Sequence, residues 1–259
     1  MIKGILNGLK TYGNSFGLVT KLGLWKYFAI PMVISLLTAT IIIVSAYGLS
    51  DNIGHWIAGI WPWEWGASVF EGVASFIGGA IIIVVGFILY KHIVMALSAP
   101  FMSPVSEKIE AHILGSNHAH TNTSFSAQLW RGIRINVRNL GMELLLTIPI
   151  LLVGLIPIIG LVSTVLLFLM QAYYAGFGNM DYTLERHYDY DKSIQFVRKN
   201  KGQAIGNGIV FMLFLLIPIV GVILVLPLSV TAATVQTVDL LDPEMKQQLP
   251  TSQENKKLS

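Results

Sequence analysis

Reactive chemistry has few places to reside in this chain. Its six histidines stand at 55, 92, 112, 118, 120 and 187, and only His118-Ala-His120 and Asp189-Tyr-Asp191 form close polar pairs. Both pairs fall in stretches that read as loops, where water solvates such groups, so no metal site is expected. Cysteine is absent, which excludes thiolate nucleophiles, disulfides and zinc-thiolate centres. No HExxH, GxSxG or P-loop pattern occurs, so zinc hydrolase, serine hydrolase and self-powered nucleotide-driven chemistry lack their residues. An intramembrane catalyst would carry acids or histidines inside its apolar runs, and those runs are nearly clean. The expectation is a protein that is no enzyme and needs no cofactor.

Charge is what remains. Gly141 to Met180 holds one ionisable acid or base, Glu143. A charge at the centre of a bilayer costs roughly 2.5 to 3.5 kcal/mol on insertion scales and much less near the interface. One reading makes Glu143 an interfacial carboxylate paired with Arg138 or Arg134. The other makes it a gate or counter-charge beside an anion path.

The elements that must position these groups are apolar helices. Hydrophobic residues make up 54% of the 259 positions and charged ones 12%, against about a quarter charged in soluble domains. Uncharged runs of twenty residues and more read as membrane spans. The class is an all-α integral membrane protein. Residues 2–16 put Ile2, Ile5, Leu6, Leu9 and Phe16 at helical spacing, which predicts a helix lying on the membrane surface, or a short helix packed on the bundle. Two long spans follow, at about 27–49 and 67–97. Between them sit four of the six tryptophans, at 56, 61, 63 and 65, as expected of a headgroup layer. Pro100 and Pro104 should break the second span. Amphipathic helices are expected at about 104–114 and 125–139, the latter with Arg131, Arg134 and Arg138 on one face.

Two long apolar stretches, about 141–180 and 202–240, each carry one phrase near the middle: LIPIIG at 155–160 and LIPIVG at 216–221. Proline removes a backbone donor and glycine loosens the chain. Each stretch is too long for one span, so Pro157-Gly160 and Pro218-Gly221 read as the apices of two helical hairpins forming a weak internal repeat. An apex at mid-depth must face protein or water. The second arm would begin there with free N–H groups that suit an anion, while the first arm ends there with free carbonyls. Residues 1–241 form one membrane domain, and 242–259 read as a polar, disordered tail. The seventeen Lys and Arg residues avoid the Trp-rich loop and both apices, which predicts cytoplasmic termini.

An ordered set of segments resembles the CysZ-type sulfate permease family, which shares a superfamily with the eukaryotic etoposide-induced membrane proteins. The segments are GLWKYFAIP (23–31), SAPFMSPVSEKIEAHILG (98–115), GNMDYTLERH (178–187) and LPLSVTAATVQTVD (226–239). The resemblance implies two long membrane helices plus two hairpins of partial depth, a homo-oligomer, and inward passage of sulfate for cysteine synthesis. It implies a sulfate-binding place at Gly23, Leu24 and Lys26; there Lys26 is expected to attract the anion while the Gly23–Leu24 backbone donates N–H groups near a helix start. The family carries two adjacent basic residues after Gly-Leu; here the pair is Trp25-Lys26. The expected protein is a multi-pass inner-membrane anion channel or permease, passive or weakly coupled, whose partners are sulfate or a related small anion and the lipid bilayer, not nucleic acid. A non-transporting membrane scaffold of the same superfamily is the alternative.

Overall fold

The computed structural model describes residues 1–59, 67–115, 124–154, 156–217 and 220–248. Among these residues the chain is helical throughout, without strands. The elements are α1 (Ile2–Lys21), a short 3₁₀ turn (Leu24–Phe28), α2 (Ala29–Ala58), α3 (Ala67–Leu114), α4 (Phe125–Gly154), α5 (Pro157–Leu184), α6 (Tyr190–Lys199), α7 (Lys201–Leu215) and α8 (Val220–Gln248). Five stretches are long and apolar enough to cross a membrane: Leu24–Ala58, Ile88–Leu114, Phe125–Gly154, Gly160–Leu184 and Leu224–Leu241. Large apolar side chains stay outside the bundle, among them Leu37, Ile41 and Val44 on α2, Leu145, Ile148 and Leu152 on α4, and Leu161 and Val162 on α5. Such surfaces are costly in water and suited to lipid.

The prolines at 100 and 104 do not break the second span. Helix α3 runs through both to Leu114. A helix-interior proline removes one N–H and pushes on the carbonyl four residues back, and neighbouring helices can supply the missing donors. Side-chain donors tie the backbone around the two prolines: the Tyr182 hydroxyl donates to the Met95 carbonyl, the Ser103 hydroxyl to the Ala99 carbonyl at 3.0 Å, and Arg186 Nη1 to the Ser103 carbonyl at 3.4 Å. The segments 104–114 and 125–139 are therefore not separate helices. The first is the end of α3, and the second is the start of α4, which continues through Gly141 and Pro149 to Gly154.

Both repeated phrases fall where helices end. Ile156 is extended and Pro157 opens α5 at a first-turn position, where its missing N–H and fixed φ cost nothing. Helix α7 stops at Leu215 and α8 starts at Val220; Pro218 lies outside the described residues. Glycine is required beside each break because the arms touch. A Cβ on Gly160 would lie 2.8 Å from the Gly154 carbonyl oxygen, and one on Gly221 would lie 2.0 Å from that of Phe214.

Small residues also bring whole helices together. Gly4 and Gly8 on α1 face Gly202 and Gly206 on α7, so that a Cβ on Gly206 would meet the Ile5 carbonyl at 2.3 Å. On another face of α7, Ala204 and Gly208 meet Gly176 and Ala172 of α5. Both crossings use the small-xxx-small spacing that lets membrane helices approach backbone to backbone. Helix α1 thus lies against α7 and α8 while Ile2, Leu6 and Phe16 remain exposed. Helix α8 extends to Gln248, past Asp242 where the polar tail is expected to begin, because a docked helix adds turns without a new nucleation step.

Candidate functional site

The bundle interior is far more polar than the sequence suggests. Lys91 and His92 are adjacent on α3 and point into the bundle, almost fully buried. Their partner is Glu143 on α4. Lys91 Nζ lies 2.7 Å from Oε1 and His92 Nε2 3.1 Å from Oε2. The Asn136 amide donates to the Gly132 carbonyl at 2.9 Å, which turns its oxygen towards His92 Nδ1 at 3.4 Å. Both ring nitrogens of His92 therefore face acceptor oxygens. Glu143 is paired, as one reading of the sequence holds, but not with Arg138 or Arg134. Arg134 stacks over the Tyr190 ring at 3.8 Å, and Arg138 donates to Asn139 Oδ1 at 2.9 Å and lies 5.4 Å from the Phe177 ring centroid. The reason is helical phase: Glu143 faces α3, whereas Arg134 and Arg138 lie on a more exposed side of α4.

Two further ion pairs tie the end of α5 to its neighbours. Arg131 grips Asp181 with two parallel bonds of 3.0 and 2.8 Å and also reaches Ser193 Oγ at 2.7 Å. Arg186 Nε and Nη2 both donate to Glu110 Oε2, at 2.9 and 2.7 Å, and His187 holds Oε1 of the same carboxylate. Arg186 Nη2 also donates to Ser106 Oγ at 2.7 Å, and that hydroxyl joins Thr183 and Thr234 in a buried triangle. Nearer α1, the Asn179 amide donates to Asn207 Oδ1 at 2.8 Å, Asn207 donates to the Ser229 carbonyl, and the Tyr12 hydroxyl donates to Ser229 Oγ. Arginine's planar fork suits such buried bidentate pairing.

Of these groups the sequence reading gave a possible place beside an ion path to Glu143 alone, and named Arg131 only as part of a basic helix face. One signal for Lys91 and His92 was present: a basic pair with apolar residues on both sides, within what proves to be one helix. Buried ionisable groups of this kind mark functional interiors in membrane proteins. The Asp189-Tyr-Asp191 pair has a structural role, since Asp189 caps α6 by accepting from the Lys192 N–H at 2.9 Å. His118 and His120 lie outside the described residues.

Just past the fourth apolar stretch, burial raises the Glu185 carboxyl from its ordinary 4.5 to about 7, and the nearby Asp181 charge adds to the rise against the opposing Ser103 hydrogen bond and the Arg186 and Arg131 charges. Between those two pH values the folded state holds a proton that the unfolded chain has released. Stability is therefore fullest below 4.5 and declines as pH rises through 7. Thermal melts of the wild-type protein from pH 4.5 to 8 are expected to show this decline, and Glu185→Gln should flatten it. Equal slopes in both proteins would place the titration elsewhere.

At the second predicted place, Gly23 takes a left-handed φ of 63° and starts the 3₁₀ turn. Its N–H donates to the Thr20 carbonyl at 3.2 Å, so it is not free to bind an anion as expected. Leu24 is fully buried and acts as core. Trp25 donates its indole N–H to Thr20 Oγ1 at 3.1 Å and packs between Phe16 and Phe28. Lys26 is exposed, with Nζ 5.5 Å from the Tyr27 ring centroid, and Lys108 from α3 lies 5.1 Å from the same ring. The turn thus gathers two ammonium groups around one aromatic ring.

The family described as "Sulfate transporter CysZ/Etoposide-induced protein 2.4" matches residues 12–226. A protein of Pseudomonas aeruginosa named "Sulfate transporter CysZ" is 24% identical over 234 residues, covering 88% of this chain and 93% of its own length. One of the same name from Pseudomonas fluorescens is 28% identical over 141 residues, 53% of this chain and 56% of its own. With the family match spanning both the ionic interior and the Lys26 turn, this chain belongs to the sulfate transporter CysZ/etoposide-induced protein family.

Proposed function

We propose that this protein passes a small oxyanion, sulfate before others, across the cytoplasmic membrane as a passive or weakly coupled channel or permease. The observation that carries the reading is the ionic interior: Lys91, Arg131 and Arg186 are held among apolar helices, each beside one carboxylate. Charges are expensive within a bilayer and persist where an ion path or its counter-charges need them. The relatives' name supplies the substrate. The hairpin apices turn within the membrane-embedded assembly, and several copies of the chain surround the path. Uptake of radiolabelled sulfate by proteoliposomes tests the reading. Flux no greater than in protein-free liposomes would favour a membrane scaffold.

Lys26 and Lys108 make the access point. Trp25 stands where the resemblance implies a second basic residue, and Lys108 supplies positive charge from α3 instead. Lys26→Gln is expected to lower sulfate flux several-fold. Trp25→Arg should tighten sulfate binding, because a guanidinium engages two oxygens at once. Unchanged flux and binding in two correctly assembled variants would move the access point elsewhere.

Both termini are cytoplasmic in this reading. Because the chain lacks cysteine, single introduced thiols report sidedness without background. Gly59→Cys should label with an impermeant reagent from outside intact cells, and Lys199→Cys only after the membrane is opened. The opposite pattern would invert the topology.

A further inference from the structure

Among the buried and half-buried arginines, Arg138 differs from Arg131 and Arg186. Each of those two holds a carboxylate, whereas Arg138 has no carboxylate partner among the described residues. It donates from Nη1 to Asn139 Oδ1 at 2.9 Å and lies over the Phe177 ring. That bond fixes the Asn139 amide with its oxygen towards Arg138. The amide nitrogen on the same planar group is then a donor without a partner, in a side chain that is 0% exposed. A buried donor left unsatisfied costs about 1 to 3 kcal/mol, and this one has no hydrogen-bond partner among the described residues. Tyr173 and Tyr174 pack edge to face at 5.0 Å, and Tyr173 also packs edge to face, at 6.4 Å, on the Phe177 ring that Arg138 overlies; Arg198 is exposed in the last turn of α6, and its charge and that of Arg138 both act on the two phenols. Glu143 also acts on Tyr174, but its charge is met by Lys91.

Around the Phe177 ring thus lie the Arg138 guanidinium with its bonded Asn139 amide and the Tyr173–Tyr174 pair, with no carboxylate among the described residues holding Arg138. A carboxylate would need only one fork of Arg138, whereas a tetrahedral oxyanion can also accept from the amide and the phenols. We propose that Arg138, Asn139 and the Tyr173–Tyr174 pair form a binding site for a tetrahedral oxyanion, with Arg198 drawing it in from the aqueous side. As an internal station on the ion path the site rests on the transport reading; as a binding site it does not. The same chemistry would hold either free sulfate or the phosphate of an anionic lipid headgroup.

The test uses the intact wild-type protein first. Purified protein is treated with the arginine reagent phenylglyoxal, and modification of Arg138 is followed by peptide mass spectrometry. In lipid-free detergent, sulfate should slow modification of Arg138 about tenfold relative to chloride at equal ionic strength. Protection that appears only in phosphatidylglycerol nanodiscs, and not in phosphatidylcholine ones, would support the site with a lipid headgroup as its ligand. Asn139→Asp then places a carboxylate beside Arg138 and should abolish protection without loss of assembly. Arg138 modified equally fast under all conditions in the wild-type protein would overturn the proposal. Protection in a protein that passes no sulfate would keep the site and remove the transport reading; flux with Arg138 unprotected would do the reverse.

Discussion

Glu143→Leu is expected to prevent the protein from assembling as a monodisperse species, and Glu143→Leu combined with Lys91→Met to restore it. Lys91 Nζ sits 2.7 Å from Glu143, and both side chains are essentially inaccessible. Removing one partner of a buried pair strands the other charge, at a cost of about 3 to 5 kcal/mol. Removing both and filling the space with apolar atoms is often neutral or stabilising. The measurement is the yield and melting temperature of purified protein by size exclusion and thermal unfolding. A stable Glu143→Leu single variant would mean that the ammonium finds water or another acceptor, and the ionic interior would lose its central member. The restored double variant has a second use. If it folds but passes no sulfate, the pair serves the ion path rather than the fold.

Gly176→Ala and Gly208→Ala should each separate α5 from α7. A Cβ on Gly176 would lie 1.8 Å from the Ala204 carbonyl oxygen, and one on Gly208 would lie 1.7 Å from that of Ala172. These are backbone atoms, so no rotamer change relieves the overlap. Overpacking generally costs about 1 to 3 kcal/mol and occasionally more; a backbone-to-backbone clash at a helix crossing belongs at or above the top of that range. Asn179 and Asn207 would be pulled apart by the same movement, breaking a buried amide bond of 2.8 Å. Differential scanning fluorimetry should show both variants melting well below the wild type, whereas Gly141→Ala, where an added Cβ meets nothing within 4 Å, should melt with it. Wild-type stability in either crossing variant would contradict so close an approach of the two helices.

Helix class was legible because it depends on composition and run length, which a sequence states directly. The helix ends at Gly154 and Leu215 and the new starts at Pro157 and Val220 were legible in outline because proline and glycine act on their own backbone. Continuity through Pro100 and Pro104 was not legible. The side chains that tie this stretch of α3 to its surroundings, Tyr182 and Arg186, lie more than eighty positions from the Met95 and Ser103 carbonyls they bond. The glycines at 160 and 221 read in the sequence as loosening the chain; in the structure their missing Cβ lets the other arm's backbone come close.

Charge pairing was the least legible property. The sequence places Arg138 and Arg134 within reach of Glu143 along one helix, and a one-dimensional reading prefers near neighbours. Tertiary structure chose Lys91 and His92, 52 and 51 positions away, because the face of α4 that carries Glu143 is the face that meets α3. The sequence by itself determined an all-helical, cysteine-free membrane chain with two interrupted apolar stretches and a basic turn before its first span. Only the tertiary structure decided which cations are neutralised and which, like Arg138, are left without a carboxylate, since that depends on the rotational phase at which helices dock, and side-chain packing sets that phase.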